Sequence, residues 1–289
     1  MSIFSFPKKL LLQSTWQFDA DGVLWRMMFS PSHHLVLEIR NPEKKLASFT
    51  CLNDRSGNVL WRDRGFDEPW WIAIEALDDE LIFFHKFRKP DMPQHRGVIA
   101  CDIVSGELLW ENTDYVFVQR DGERVIVQKE QFEAIRFYAL DSRTGDFIED
   151  LGTDTERINL LRQRDDDETR FKDFRYPSPF LHDDADHVDA SNITREFSDN
   201  NVRGAIDYLR YTSYIILSWH EVAKASAPQQ EMLSQRVRII DGKSGEKIFE
   251  EILLPQTTSI GMDSFFMKGS ILYFIKDLHV LTAIDLNHR

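Results

Sequence analysis

The chain has 289 residues, with 35 basic side chains against 48 acidic ones, a formal net charge of −13, and 42% apolar residues. That excess of negative charge argues against a nucleic-acid binder, because phosphate contacts draw on a basic surface. The length allows one large or two small domains, and two cysteines, Cys51 and Cys101, are too few for a disulfide framework.

In chain order, the first candidate strand is the run Leu10 to Phe18, which carries Trp16. Behind Lys8 and Lys9 stand only Leu10, Leu11 and Leu12, too short an apolar stretch for a signal peptide. No run approaches the roughly 18 apolar residues that span a bilayer. The expectation is a soluble, cytoplasmic protein that engages neither membrane nor nucleic acid.

A phrase then repeats along the chain: a small or apolar pair, Asp or Asn, two variable residues, Ser/Thr-Gly or a close variant, and a large apolar residue three or four positions on. It reads Cys51-Leu52-Asn53-Asp54-Arg55-Ser56-Gly57 on to Trp61, then Ala100-Cys101-Asp102-Ile103-Val104-Ser105-Gly106 on to Trp110. It returns as Ala139-Leu140-Asp141-Ser142-Arg143-Thr144-Gly145 on to Ile148, and as Ile239-Ile240-Asp241-Gly242-Lys243-Ser244-Gly245 on to Phe249. A last copy begins at Ala283-Ile284-Asp285. Two strand-like runs with period-two alternation precede each later copy. They are Trp71 to Ala76 with Leu81 to Phe87, Tyr115 to Gln119 with Arg124 to Lys129, Ala205 to Leu209 with Tyr214 to Trp219, and Thr257 to Met262 with Ser270 to Ile275.

The phrase encodes a β-hairpin. Its Asp accepts backbone N–H bonds across the turn, its Gly takes the positive-φ position, and the downstream ring fills space between neighbouring sheets. Each unit is then about four antiparallel strands in roughly 40 to 50 residues, the size of a propeller blade. The phrase resembles the PQQ-type repeat of quinoprotein-like β-propellers, close to Ala-x-Asp-x-x-Thr-Gly-x-x-x-Trp. That resemblance implies an all-β propeller. The chain also resembles, in its general look, an uncharacterised Bacteroidetes family of propeller-like proteins with a domain of unknown function. The cofactor of quinoproteins is not expected, because the chain is short and Cys51 and Cys101 fall in different repeats.

Turn glycines lie 49, 39 and 100 residues apart, and the 100-residue gap decides the blade number. Residues 164–199 hold 11 acidic and 5 basic side chains, a net of −6, with no alternation and no turn phrase. The gap therefore reads as one blade plus an acidic insertion at about 151–203, giving a single propeller domain over 1–289 with five four-stranded blades. Six blades is the alternative. The final blade, ending at Val280 to Asp285, borrows its fourth strand from the N-terminal run.

Candidate sites are few. Asp183, Asp184, Asp186 and Asp189 in the insertion are hard oxygen donors suited to a divalent cation, with His182 and His187 beside them, although the EF-hand spacing is absent. Trp70-Trp71 offers a stacking surface, with alternation placing one indole in the core and one outside. His85 and His220 close equivalent strands in two repeats and mark, with Trp70, a ligand or partner surface. The polar stretch Ala223 to Ser234 reads as a long loop. No Gly-x-Ser-x-Gly, phosphate loop, dinucleotide fingerprint or His-Glu-x-x-His occurs. The leading expectation is a non-catalytic scaffold for a protein or peptide partner, one of basic character to suit the acidic insertion. The alternative is an enzyme or small-ligand binder with its site at the mouth of a central channel.

Overall fold

The structure, a computed structural model, describes residues 12–89, 92–132, 134–164, 172–180, 197, 201–223, 231–261 and 264–287. It is nearly all β, with one α-helix among the described residues. No helix among them is long and apolar enough to cross a membrane. The chain divides into two compact units, Ala20–Lys172, and Met1–Asp19 joined with Asp173–Arg289.

Strand β1 (Trp16–Asp19) belongs to the second of these. The Ala20–Lys172 unit holds three antiparallel meanders of four strands. The first is β2 (Val23–Phe29), β3 (His34–Asn41), β4 (Leu46–Asn53) and β5 (Val59–Arg64). The second is β6 (Ile72–Leu77), β7 (Leu81–Lys89), β8 (Met92–Asp102) and β9 (Leu108–Asn112). The third is β10 (Val116–Asp121), β11 (Arg124–Glu130), β12 (Ile135–Asp141) and β13 (Phe147–Gly152). A single parallel bridge, Val116 with Gly97, links the second to the third.

Helix α1 (Thr155–Arg164) follows, inside the span expected to be irregular. Asp154 caps it by accepting the Arg157 N–H at 3.0 Å, and Ile158 and Leu161 pack on Ile126, Phe137 and Leu151. A cap and two apolar residues three apart are enough to dock a short helix where alternation is missing.

In the other unit, β14 (Phe174–Arg175) and β15 (Ser178–Pro179) are short edge additions. β15 extends the meander of β16 (Val202–Tyr211), β17 (Tyr214–Val222), β18 (Leu233–Asp241) and β19 (Lys247–Thr257). β14 extends the sheet of β20 (Phe266–Lys268), β21 (Ile271–Lys276) and β22 (Val280–Asp285). β1 completes that last sheet, with Trp16 opposite Ala283 and Phe18 opposite Leu281. The N-terminal strand is thus the fourth of the final meander. The expected strand over Thr257 to Met262 does not form among its described residues, 257–261: β19 ends at Thr257, whose hydroxyl donates to Ser259 O at 3.0 Å and starts a turn.

Each of the four full phrases joins the third and fourth strands of a meander. Asn53 Oδ1 accepts the N–H groups of Arg55 and Ser56, Asp102 those of Val104 and Ser105, Asp141 those of Arg143 and Thr144, and Asp241 those of Lys243 and Ser244, all at 2.8–3.1 Å. The N–H groups of Gly57, Gly106, Gly145 and Gly245 return to the carbonyl of the same Asx residue. The Thr144 and Arg143 amides hold the Asp141 carboxyl below its ordinary value.

The downstream rings explain the phrase's length. Trp61 Nε1 donates to Ile103 O at 2.8 Å, inside the next repeat's turn, and Trp110 Nε1 donates to Ser142 O at 3.0 Å in the one after. Each indole lies against the following glycine: a Cβ on Gly106 would stand 2.8 Å from Trp61 Cδ2, and one on Gly145 would stand 2.7 Å from Trp110 Cδ2. Phe249 sits half-buried against Phe274 in the other unit's core. Ile148 departs from the pattern and is exposed.

The edge of the second meander is closed by side chains of the first. Arg26 Nη1 donates to Ile74 O at 2.6 Å, Arg40 donates to the carbonyls of Trp70 and Ile72, and Glu38 Oε2 accepts the Ile74 N–H at 3.2 Å. Glu38 is fully buried and pairs with Arg40 at 2.6 Å. This arrangement satisfies the outer backbone groups of β6, which would otherwise form a bare sheet edge. Beside it, Phe49, Phe84 and Phe66 pack edge-on around Cys51 and Cys101. Both cysteines are free and buried, and burial pushes their thiols up, to about 12 and about 11.

Two outcomes follow. Gly106→Ala adds a methyl group against Trp61 at φ +69 and should cost about 2 kcal/mol or more. Gly122→Ala, at φ +61 with open space around it, should cost about 1 kcal/mol; urea midpoints separate the two. Glu38→Gln leaves the Arg40 charge without its carboxylate and should cost about 3 kcal/mol. Arg136→Gln, which removes only an exposed pair with Asp150, should leave the midpoint nearly unchanged.

Candidate functional site

The second meander carries the polar cluster that fold stability explains least well. Glu75 stands on β6 where the ladder with β7 slips between Ile74 and Ala76. His85 stands on β7, and His95 on β8 faces Phe87 directly across the hairpin. Register shifts between Phe84 and Lys86 and between Phe87 and Lys89 bring the two imidazoles together. Their rings stack with centroids 3.6 Å apart and planes 9° from parallel.

Glu75 Oε2 lies 2.6 Å from His85 Nδ1 and 2.8 Å from His95 Nδ1. His85 is 2% exposed, whereas the His95 side chain is 38% exposed and borders solvent. Neither short contact is aligned as a hydrogen bond. Glu75 Oε2 and both ring nitrogens of His85 are buried without a hydrogen-bond partner. Burial raises the Glu75 carboxyl, but the two histidines more than reverse this and hold it at about 2. The ligating atoms of all three residues lie within 4.8 Å of one another. Two imidazole nitrogens and one carboxylate oxygen are donors that suit zinc and its transition-metal neighbours.

Phe87 links this cluster to a groove. Its ring stands edge-on to His85, His95 and Trp71, at centroid distances of 5.0, 5.8 and 6.1 Å. The groove has a volume of about 340 Å³ and is lined by Trp71, Phe87, Lys86, Arg88, Arg96 and Glu68, among others. Most of its charges are paired: Lys86 with Asp67 at 2.9 Å and Glu111 at 2.8 Å, and Arg88 with Glu130 at 3.0 Å. Glu68 Oε1 accepts the N–H groups of Trp70 and Trp71, which fixes the turn that presents the indoles. Three basic side chains and one acidic one thus line the groove, two of the basic ones held by carboxylates, and its apolar floor is Trp71 with Phe87.

The residues expected from sequence distribute as follows. Neither indole of the pair is core: Trp70 is half-buried beneath Arg40 and Lys45, at 5.1 and 5.0 Å, and Trp71 is 36% exposed. Trp70 therefore braces the buried ion pair while its neighbour faces the groove. His85 belongs to the cluster. His220 is 3% exposed and lies in the other unit, where its Nε2 accepts the Gly261 N–H at 3.2 Å. Asp183, Asp184, Asp186 and Asp189, with His182 and His187, lie outside the described residues, as do 165–171, 181–196 and 198–200 of the acidic insertion and 224–230 of the loop. Glu75, His95 and Phe87 were not singled out from sequence. The available signal was two histidines ten positions apart on either side of the Lys89-Pro90-Asp91 sequence.

The role of His220 has a pH signature. Burial lowers its pKa below the ordinary value and Asp207 partly opposes this. As pH falls from 7.5 through the ordinary imidazole range, the unfolded chain binds a proton that folded His220 resists, so its contribution is lost and then levels off. His220→Gln should show a smaller drop in urea midpoint between pH 7.5 and 5.5 than the unsubstituted chain.

A family model described as "Domain of unknown function (DUF4905)" matches residues 30–110, the segment that contains Glu38, Glu75, His85, His95 and both indole–turn partners Trp61 and Gly106. No curated protein matches the chain. Among solved structures it is similar to the Kuenenia stuttgartiensis hydrazine synthase, at 13% identity and a TM-score of 0.27 over 90% of this chain and 64% of that one. The Pyrococcus horikoshii acylaminoacyl peptidase matches at 10% identity and 0.30, over 88% and 35%, and the Dos1 propeller at 9% and 0.31, over 91% and 67%. The chain thus spans less than two thirds of the length of the first two.

Proposed function

We propose that this chain is a five-bladed β-propeller that works as a cytoplasmic binding module for a peptide segment of a partner protein. The blades are the five four-stranded meanders, each closed by the repeated turn phrase or, in the last, by β1. The same phrase underlies the resemblance to quinoprotein-like repeats. The single observation that carries the binding role is the groove of Trp71 and Phe87, an apolar floor exposed on a braced sheet and rimmed by paired charges.

Such a floor favours a peptide that lays an apolar or aromatic side chain on it, while the rim selects the neighbouring residues. A basic partner, by contrast, would be drawn to the acidic insertion rather than to this groove, which three basic side chains line. Edge-on aromatic packing holds Trp71 in place before binding, so little side-chain entropy is lost on association.

The test is selection of a random peptide library on the full-length chain, followed by affinity measurement. Enriched peptides should carry an aromatic or large apolar residue, and Trp71→Ala should weaken them roughly tenfold or more. Enriched peptides that bind Trp71→Ala and Phe87→Ala as tightly as the unsubstituted chain would place recognition elsewhere and overturn the proposal.

A further inference from the structure

We infer that Glu75, His85 and His95 form a binding site for a divalent transition-metal ion of borderline softness, such as zinc, with at least one coordination position left open. The inference rests on the cluster alone and does not depend on what occupies the neighbouring groove.

Three observations point the same way. The first is the donor set. Two imidazoles and one carboxylate on three different strands are brought to one point by three separate register shifts in the ladders of β6, β7 and β8. Bulges of this kind re-aim side chains and leave local backbone groups unpaired, so they are costly unless the re-aimed residues do something. Ordinary pleating would leave Glu75 and the two histidines unconverged.

The second is the state of the polar atoms. A buried nitrogen or oxygen without a partner costs on the order of 1–3 kcal/mol. Here His85 Nδ1, His85 Nε2 and Glu75 Oε2 are all in that condition, on a histidine that is 98% buried by its 2% exposure. The Oε2–Nδ1 contacts are short, at 2.6 and 2.8 Å, yet are not directed as hydrogen bonds. Short, misdirected contacts among three potential ligands fit convergence on a shared ion better than they fit a hydrogen-bonded triad.

The third is adjustability at the right place. An ion about 2.0–2.1 Å from each donor in a tetrahedral site would hold the ligand atoms about 3.3 Å apart, so the two contacts need to open by roughly half to three quarters of an ångström. The parallel imidazoles must also splay, since the lone pairs of stacked rings run side by side. His95 is the residue able to do so: its side chain is 38% exposed on the outer part of the β7–β8 hairpin, whereas His85 is held by the core. Site formation therefore pairs one fixed imidazole with one mobile imidazole. The resulting two-histidine, one-carboxylate set carries net positive charge with its ion and leaves a position open beside Phe87. A ligand with an anionic oxygen or a nitrogen donor could fill that position.

Cobalt is a suitable probe, because its visible absorption reports donor type and coordination number. The full-length chain, stripped of metal by chelation, is titrated with Co²⁺ and then with Zn²⁺. One equivalent of Co²⁺ should give a ligand-field band that Zn²⁺ displaces. His95→Ala and Glu75→Gln should each weaken binding by more than roughly a hundredfold, beyond the loss caused by removing a residue that only orients a ligand. Both variants should keep the far-ultraviolet circular dichroism and cooperative unfolding of the unsubstituted chain. His95→Ala is the deciding variant should His85→Ala fail to fold, and Trp71→Ala should leave metal binding unchanged. Absence of stoichiometric binding would overturn the assignment, as would binding that persists at full strength in His95→Ala and Glu75→Gln.

Discussion

The indole of one repeat resting on the glycine turn of the next is the contact on which the Ala20–Lys172 unit depends. A four-stranded meander exposes two faces and cannot bury both alone, so it is stable only when a neighbour covers it. Trp61 and Trp110 do this in two ways at once. Each ring packs on an apolar cluster drawn from two meanders, and each Nε1 donates to a carbonyl in the adjacent turn. The carbonyl is accessible because the Asx side chain has already taken the turn's amides, and the ring can approach because the turn glycine has no Cβ. Asx, glycine and tryptophan are thus one device, and its geometry fixes how successive sheets are spaced.

The second meander adds a polar device to this apolar one. β6 has a free edge, and Arg26, Arg40 and Glu38 from the first meander satisfy its outward backbone groups. Burying Glu38 with Arg40 is expensive in desolvation, and its gain lies in register: only one alignment of β6 presents Ile72 O and Ile74 N–H to the pair. That alignment matters functionally because β6 also carries Glu75 and follows directly from Trp71. The cluster and the groove therefore stand on a strand whose position is set by a buried ion pair rather than by a loop. By contrast, Cys51 and Cys101, sealed in the adjoining aromatic core with raised thiols, are structural small hydrophobes.

Much of the architecture was legible because it is local. An Asx residue binding the amides two and three positions on, and a glycine returning to it four on, are contacts within five residues, so each copy of the phrase is readable in isolation. The alternating runs before each copy became β6, β7, β10, β11, β16, β17 and β21 with ends moved by a few residues. The pairing of the N-terminal run with β22 was legible as well, since a third strand without a fourth calls for one. Less legible were α1, whose two buried residues give too weak a period, and the end of β19, where a threonine side chain turns the chain out of the ladder.

The candidate site shows where locality ends. His85 was visible as a polar residue at the end of a buried strand, but its partners were not. Glu75 and His95 reach it only because two ladders slip at three places, and a slip is a compromise among twist, hairpin length and the packing of neighbouring sheets. A β7–β8 ladder without register shifts would have placed other residues beside His85. The division of Trp70 from Trp71 has the same origin: alternation could separate the two indoles but could not say that an arginine from another sheet would hold the first half-buried. The sequence by itself determined the repeat, the strands and the turn chemistry, because these depend on residues within one hairpin. Tertiary structure alone decided which polar side chains converge, because their distances depend on register between strands and on the ion pair that holds β6 in place.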